Sequence, residues 1–319
     1  MNILSLFDGI SCGMLALKEA GIHVDSYYAS EIGEKSIDIS RSNYPDIIQL
    51  GDVQKVSYKD GILYSEKGEY EVKFDMVMGG SPCQNLSNIG DKTGLKGEKS
   101  ILALDFFRIL AEVNPKYFLL ENVGMNATNA KIFTAALGVS PIFIDSATFS
   151  AQMRKRNYWT NIEVPKLPKS SPEVIRDIID DVNIDVSDSY VDSSETFVEF
   201  LNRKGVTSLC TDTGMPVDIT CKTNTTRANR YRLEHVRALD QKCRCLSTQC
   251  GNMASTSGCG LYINGKLRSI SPTEAEKLQT LPVDYTKCVS KVHRFHGVGN
   301  GWNVRTIAHI FSGINSVKE

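Results

Sequence analysis

Short apolar runs alternate with amphipathic stretches through the first 165 residues, the pattern of βα units feeding a largely parallel sheet. The runs predict strands at Ile3 to Leu6, Val24 to Ala29, Phe74 to Met78, Tyr117 to Leu120 and Ile142 to Ile144. Helices are expected at Met14 to Ala20, Glu34 to Asn43 and Ser100 to Val113. In the last of these Leu102, Phe106, Ile109, Leu110 and Val113 share one face, and Pro115 ends it. The expected fold is a doubly wound α/β domain, which binds ligands at the carboxyl ends of its strands. From Pro165 to Ser171 the composition turns to Pro, Lys and Ser, and apolar, helical character returns only after Arg268. Residues 1–165 and 267–319 are therefore assigned to one domain and 166–266 to a second, smaller one. No apolar run approaches the roughly 20 residues that span a membrane.

The chain has 319 residues, with 36 Lys and Arg against 37 Asp and Glu. This ordinary composition excludes disordered, collagen-like and disulfide-stapled classes. Near-neutrality by itself gives no sign of a nucleic-acid partner. The charge is segregated, however: Ser171 to Glu199 holds nine acids and one base, a net of −8, and Thr220 to Cys245 seven bases and two acids, a net of +5. The acidic stretch reads as solvated surface, and the basic one suits phosphate contact. Nine cysteines without disulfide spacing, and a start that lacks a basic leader before Asp8, lead us to expect a reducing, cytoplasmic setting. Cys243, Cys245, Cys250 and Cys259 lack the paired C-x-x-C knuckles of a zinc site, so no metal is expected.

Candidate chemistry lies after the strands. Phe7-Asp-Gly-Ile-Ser-Cys-Gly13 leads into a helix; Gly9 and Gly13 let a ligand approach the backbone, and the Phe7 ring offers a stacking surface. Its spacing is not the G-x-G-x-x-G of dinucleotide enzymes. Glu31 is placed to accept ribose hydroxyls, and Asp52, in Gly51-Asp52-Val53, the amino group of an adenine. Together these describe a nucleoside-shaped site. Gly79-Gly-Ser-Pro-Cys83 presents a cysteine in a Gly-rich loop, the setting of an accessible thiolate nucleophile. Glu121-Asn122-Val123 ends an apolar run, where partial desolvation favours the protonated, donating form of an acid. In Gln152-Met-Arg-Lys-Arg156 the two arginines alternate and are expected to face one way, toward a phosphate or carbonyl oxygen.

These motifs, with Ser81-Pro-Cys-Gln84, Ser271-Pro-Thr-Glu274, Leu278-Gln-Thr-Leu-Pro282 and Gly299-Asn-Gly-Trp-Asn-Val304, resemble the DNA (cytosine-5)-methyltransferase family in its motif order. Leu4 to Gly9, Ala29-Ser-Glu31 and Gly79 to Cys83 look most like the vertebrate de novo enzymes, whereas Gln84 and Gln152 follow the bacterial pattern. The resemblance implies a Rossmann-like methyltransferase sheet with a target-recognition domain. It also implies S-adenosyl-L-methionine as donor, S-adenosyl-L-homocysteine as product, and a flipped-out cytosine in double-stranded DNA as acceptor. Cys83 would attack carbon 6, Glu121 would protonate ring nitrogen 3, and Arg156 would bind the ring carbonyl with Arg154 beside it.

By the same resemblance Phe7, Asp8, Gly9, Glu31, Ile32, Asp52, Val53, Leu102, Asn300, Gly301 and Trp302 would hold the cofactor. Phe7 would stack on the adenine, Val53 would pack on that ring, and Leu102 would give a backbone contact. Ser81, Pro82, Gln84, Asn122, Arg244 and Gln249 would meet DNA. Cys243 to Asn252 looks like the de novo recognition loop, with Gln249 where a guanine-reading arginine stands, so a target other than CpG is expected. A tRNA-methylating relative shares the Pro-Cys loop, but the large second lobe argues for duplex DNA. A bacterial or phage origin, with a role in restriction-modification or phage protection, fits a chain without chromatin-reader domains.

Overall fold

A computed structural model of the chain describes residues 1–80, 98–179, 236–237, 239–252, 257–263 and 266–315. Ser81, Pro82, Cys83 and Gln84, most of the acidic stretch and most of the basic one lie outside the described residues.

The central sheet has seven strands: β1 (Asn2–Leu6), β2 (Ser26–Ser30), β3 (Ile48–Gln49), β7 (Met76–Gly80), β8 (Tyr117–Val123), β9 (Ile142–Asp145) and β10 (Lys155–Thr160). Their spatial order is β3-β2-β1-β7-β8-β10-β9. The first five are parallel; β10 runs antiparallel to both β8 and β9. Ile3, Leu4 and Leu6 of β1 and Met76, Val77 and Met78 of β7 are all buried, as strands covered on both faces must be. The chain winds from β1 out to β3 and then returns to β7 on the other side of β1. In open sheets of this kind ligands bind at that switch, at the carboxyl ends of the strands on either side.

The helices are α1 (Cys12–Glu19), α2 (Glu34–Asn43), α3 (Glu98–Val113) and α4 (Ala127–Leu137), with α5 (Pro272–Leu278), α6 (Lys291–Asn300) and α7 (Val304–Asn315) near the C-terminus. The stripe expected on α3 is the face that packs: Phe106 and Ile109 are fully buried, and Leu102, Leu110 and Val113 lie against the same core. Ala103, one position over, joins them. Phe133 bridges this core to Trp159, with ring centroids 5.2 Å apart.

A second sheet, β4 (Ser57–Lys59), β5 (Ile62–Ser65) and β6 (Gly68–Glu71), forms an antiparallel meander between β3 and β7 that the apolar runs do not predict. Its signal is Asp60-Gly61, whose φ angles of 52° and 84° make the primed turn of a tight hairpin.

The described chain divides into two compact units. The first comprises Met1–Asp145, Lys155–Leu167 and Gly301–Glu319. The second comprises Ser146–Arg154 and Pro168–Asn300. The boundary expected near residue 267 therefore differs from the one found, since α5 and α6 group with the second unit. That unit holds a small sheet of β11 (Val236–Arg237), β12 (Gly260–Ile263) and β13 (Lys266–Ser269). α5 starts on a capping box, Ser271 with Glu274, followed by Pro272. Its buried Glu276 accepts from the backbone of Asp284 and Thr286 and pairs with Arg294 at 2.9 Å. Among the described residues no helix is long and apolar enough to cross a membrane.

Gly79 is where the sheet tolerates no side chain. A Cβ there would lie 2.7 Å from the Leu6 carbonyl oxygen and 3.2 Å from the Phe106 ring. Because a strand carbonyl cannot yield as a flexible side chain does, Gly79→Ala is expected to cost about 1–3 kcal/mol of stability. A lowered urea midpoint at unchanged slope would show this; an unchanged midpoint would refute it.

Candidate active site

The β1–α1 turn is built on backbone angles that few residues adopt. Phe7, Gly9 and Ser11 all have positive φ, and only Gly9 takes it without strain. What holds the turn is Asp8, whose carboxylate accepts from the hydroxyls of Ser5 (2.7 Å), Tyr27 (2.6 Å) and Ser11 (2.5 Å). Burial pushes the Asp8 carboxyl up; the Ser11, Tyr27 and Ser5 hydrogen bonds oppose this, and the charge of Glu31 adds to it. Ser11 is itself hydrogen-bonded to Ser40 at 2.7 Å. The Asp8 carboxylate, expected to meet the cofactor, is thus committed to shaping the turn. The parts played by Tyr27, Ser11 and Ser40 have no signal in the sequence, because hydroxyls on separate elements leave no linear motif.

Glu31 follows β2, and its Oε2 accepts from the Gly9 backbone N–H at 2.8 Å. Oε1 accepts from Ile32 (2.9 Å) and Gly33 (2.7 Å). A carboxylate offers about four acceptor positions, so Oε2 retains one for a ligand hydroxyl. Ile32 beside it is 73% exposed, an apolar surface left uncovered. On the open side of Gly9 no atom lies within 4 Å of where a Cβ would stand, which leaves room for a ligand. After β3, Asp52 accepts from the Gln54 backbone at 3.0 Å and caps a short helical turn. Val53, expected to pack on the adenine ring, has its side chain buried among the core residues. Leu102 is half-buried against that core.

A second group gathers at β7, β8 and β10. Gly80 is registered against Glu121. A Cβ on Gly80 would meet the Trp302 indole Nε1 at 2.9 Å and Glu121 Oε2 at 3.1 Å, so the missing side chain is what lets both approach the strand end. Glu121 is 8% exposed, and its Oε1 lies 2.9 Å from Arg156 Nε. Arg156 stands opposite Val123, and Tyr158 opposite Glu121, which makes Arg156 a diagonal neighbour on the same face of the sheet. The contact is an ion pair without hydrogen-bond alignment, so Oε1 has no aligned donor among the described residues. Asn122 points to the other face, buried, with its Oδ1 accepting from Val123. Gly301 is buried beside Trp302.

The remaining residues belong to the second unit. The alternation read from the sequence assumes a strand through both arginines, but Arg154 lies outside it. β10 begins only at Lys155, and Arg154, 3% exposed, turns to the carbonyls of Leu246 and Gly299 at 3.4 Å each. Gln152 is wholly buried, donating to Leu278 and Gln279 and accepting from the Leu246 N–H at 3.1 Å, so it anchors the 243–252 loop. Arg244 buries one guanidinium nitrogen without a hydrogen-bond partner among the described residues. Gln249 and Asn300 are exposed. Cys243 and Cys259 are buried, with their sulfurs 3.1 Å apart and no disulfide between them. Among the described residues no cluster could hold a metal.

The described chain is thus an open α/β sheet with a glycine turn braced by carboxylates at one strand end and a buried acid–arginine pair two strands away. The chain belongs to the C-5 cytosine-specific DNA methylase family, whose profile matches residues 1–137 and 142–316. It is similar to the type II methyltransferase M.NgoFVII of Neisseria gonorrhoeae, 32% identical over 131 residues, which cover 41% of this chain and 32% of that one. It is also similar to DNA (cytosine-5)-methyltransferase DRM1 of Arabidopsis thaliana, 39% identical over 124 residues, 36% of this chain and 19% of that one. The matches thus span a third or less of those relatives. Among solved structures, the Dnmt2 methyltransferase of S. pombe shares the fold, with a TM-score of 0.71 at 18% identity over 100% of this chain and 99% of that one.

Because burial raises the Asp8 carboxyl above its ordinary 3.8, the native state binds that proton more tightly than the unfolded chain. The stability Asp8 contributes is then full below 3.8 and declines as pH rises toward the raised native value. In urea titrations, wild type is expected to lose stability relative to Asp8→Asn over that rise; parallel curves would contradict the burial-dominated reading.

Proposed function

We propose that this protein transfers a methyl group from S-adenosyl-L-methionine to carbon 5 of a cytosine flipped out of double-stranded DNA, as a sequence-specific modification enzyme. The observation that carries this reading is the Glu121–Arg156 pair facing Gly80, the residue from which the Ser81-Pro-Cys83 loop departs. Cys83 is three residues along the chain from Gly80, which supports the reading that nucleophile and acid share one site.

The residues fit the cofactor. Gly9 is open on its outer side, Glu31 Oε2 keeps an acceptor position, Ile32 offers apolar surface, and Asp52 presents a carboxylate for an adenine amino group. When bound, the cofactor supplies an electrophilic methyl group on sulfur. Gly301 and Trp302 would close the pocket from the chain's C-terminal segment, with Asn300 just before them.

Carbon 5 of cytosine is a poor nucleophile until an electron pair reaches it. Cys83 thiolate would form a bond to carbon 6, sending the ring electrons toward carbon 5 while Glu121 gives its proton to nitrogen 3. Arg156 would hold the ring carbonyl oxygen and compensate the buried Glu121 charge once that proton is gone. With the methyl group on carbon 5, water removes the carbon 5 proton, the carbon 6–sulfur bond breaks, Cys83 leaves as thiolate, and Glu121 recovers its proton. Arg154, held by backbone carbonyls of the second unit, would order that unit's loop. Cys83 and its neighbours Ser81, Pro82 and Gln84 enter this scheme from the sequence.

The second unit would read DNA through the 243–252 loop. Gln249 is exposed and suits adenine rather than guanine in the major groove, so the target is not plain CpG. Bisulfite sequencing of duplex methylated by the purified protein should show methylcytosine in a context other than CpG, and plain CpG would overturn that assignment.

With isotopically labelled donor, the label is expected in 5-methylcytosine of duplex DNA and not in tRNA. Cys83→Ala should abolish it, and Glu121→Gln should slow it by about 10²–10⁴-fold. Label incorporated by Cys83→Ala at the wild-type rate would sink the mechanism.

A further inference from the structure

The β4–β6 meander brings a residue back to the cofactor side of the sheet. Glu66, at the turn between β5 and β6, accepts from the Asp52 backbone N–H at 3.3 Å through Oε1 and from Lys55 Nζ at 2.7 Å through Oε2. Gly51 makes the approach possible: its φ is 83°, and a Cβ there would collide with Glu66 Oε1. Ser30 fixes the other side of the turn by donating to the Gly51 carbonyl at 2.8 Å. The Asp52 carboxylate in turn accepts from Gln54. The loop that carries the candidate purine-reading acid is thus tied to β2 by a hydroxyl and to the meander by a carboxylate. The hydrogen bond from Lys55 keeps the Glu66 carboxyl below its usual range, so both its oxygens act as charged acceptors near neutrality.

We propose that Glu66 is a positioning residue for purine recognition: by holding the Asp52 backbone it aims the Asp52 carboxylate at the 6-amino group of the cofactor's adenine. This rests on the cofactor reading above and deepens it. Glu66 touches no ligand in this scheme and acts through Asp52. Gly51 is then required for the carboxylate above it as well as for its own backbone angle.

The test compares S-adenosyl-L-homocysteine with S-inosyl-L-homocysteine, in which a carbonyl replaces the 6-amino group, by calorimetric titration of the whole chain. Wild type is expected to prefer the adenosyl ligand by about tenfold or more, since an acceptor built for an amino group is left unpaired by the carbonyl. Glu66→Ala should lose about three- to tenfold in affinity for the adenosyl ligand while changing inosyl binding by no more than about twofold, so the preference shrinks. Glu66→Gln, whose amide oxygen still accepts from the Asp52 N–H, should recover most of it. A preference unchanged in Glu66→Ala would overturn the inference, whether both affinities fall together, as loss of mere structural support predicts, or neither moves. If wild type bound neither ligand, the cofactor reading itself would fail, and this inference with it.

Discussion

A carboxyl group buried at a strand end needs a polar partner, and Arg156, 2.9 Å away, is that partner for Glu121. Three features of the fold exist around it. β10 inserts antiparallel between β8 and β9, which brings Arg156 onto the face of Glu121 as a diagonal neighbour. Gly80 lacks the side chain that would fill the space before the carboxylate. Trp302 arrives from the far end of the chain to cover the same glycine. The pair lacks hydrogen-bond alignment, so Glu121 Oε1 has no aligned donor among the described residues.

The ends of β1, β2 and β3 follow a different principle. Their groups are mostly backbone N–H donors gathered by carboxylates: Glu31 collects those of Gly9, Ile32 and Gly33, and Glu66 that of Asp52. Asp8 locks the first turn from beneath through three hydroxyls. Each of these strand ends is thus held by side-chain hydrogen bonds from neighbouring elements.

Much of this was legible in the sequence because it is local. The apolar runs of β1, β7 and β8 and the stripe of α3 are periodic signals, and glycine-rich turns mark strand ends where backbone conformation is special. Glu121 and Arg156 stand in such motifs, and the sheet places them together. What was not legible depends on where an element begins or on contacts between distant segments. Arg154 and Arg156 look equivalent two residues apart, yet β10 starts between them and the two belong to different units. The helices after residue 271 read as a return of the first domain, but packing groups α5 and α6 with the second unit. Glu66 is 14 residues from the backbone it holds and belongs to no motif.

The central claim, that Cys83 and Glu121 act together on one cytosine, is tested most directly by a duplex carrying 5-fluorocytosine at the target position. Fluorine cannot leave carbon 5 as a proton does, so elimination of the enzyme is blocked after methyl transfer. The account predicts a denaturation-resistant adduct whose mass equals protein, oligonucleotide and one methyl group, formed only with the methyl donor present and absent from Cys83→Ala. Failure of the active wild-type protein to form that adduct would contradict it.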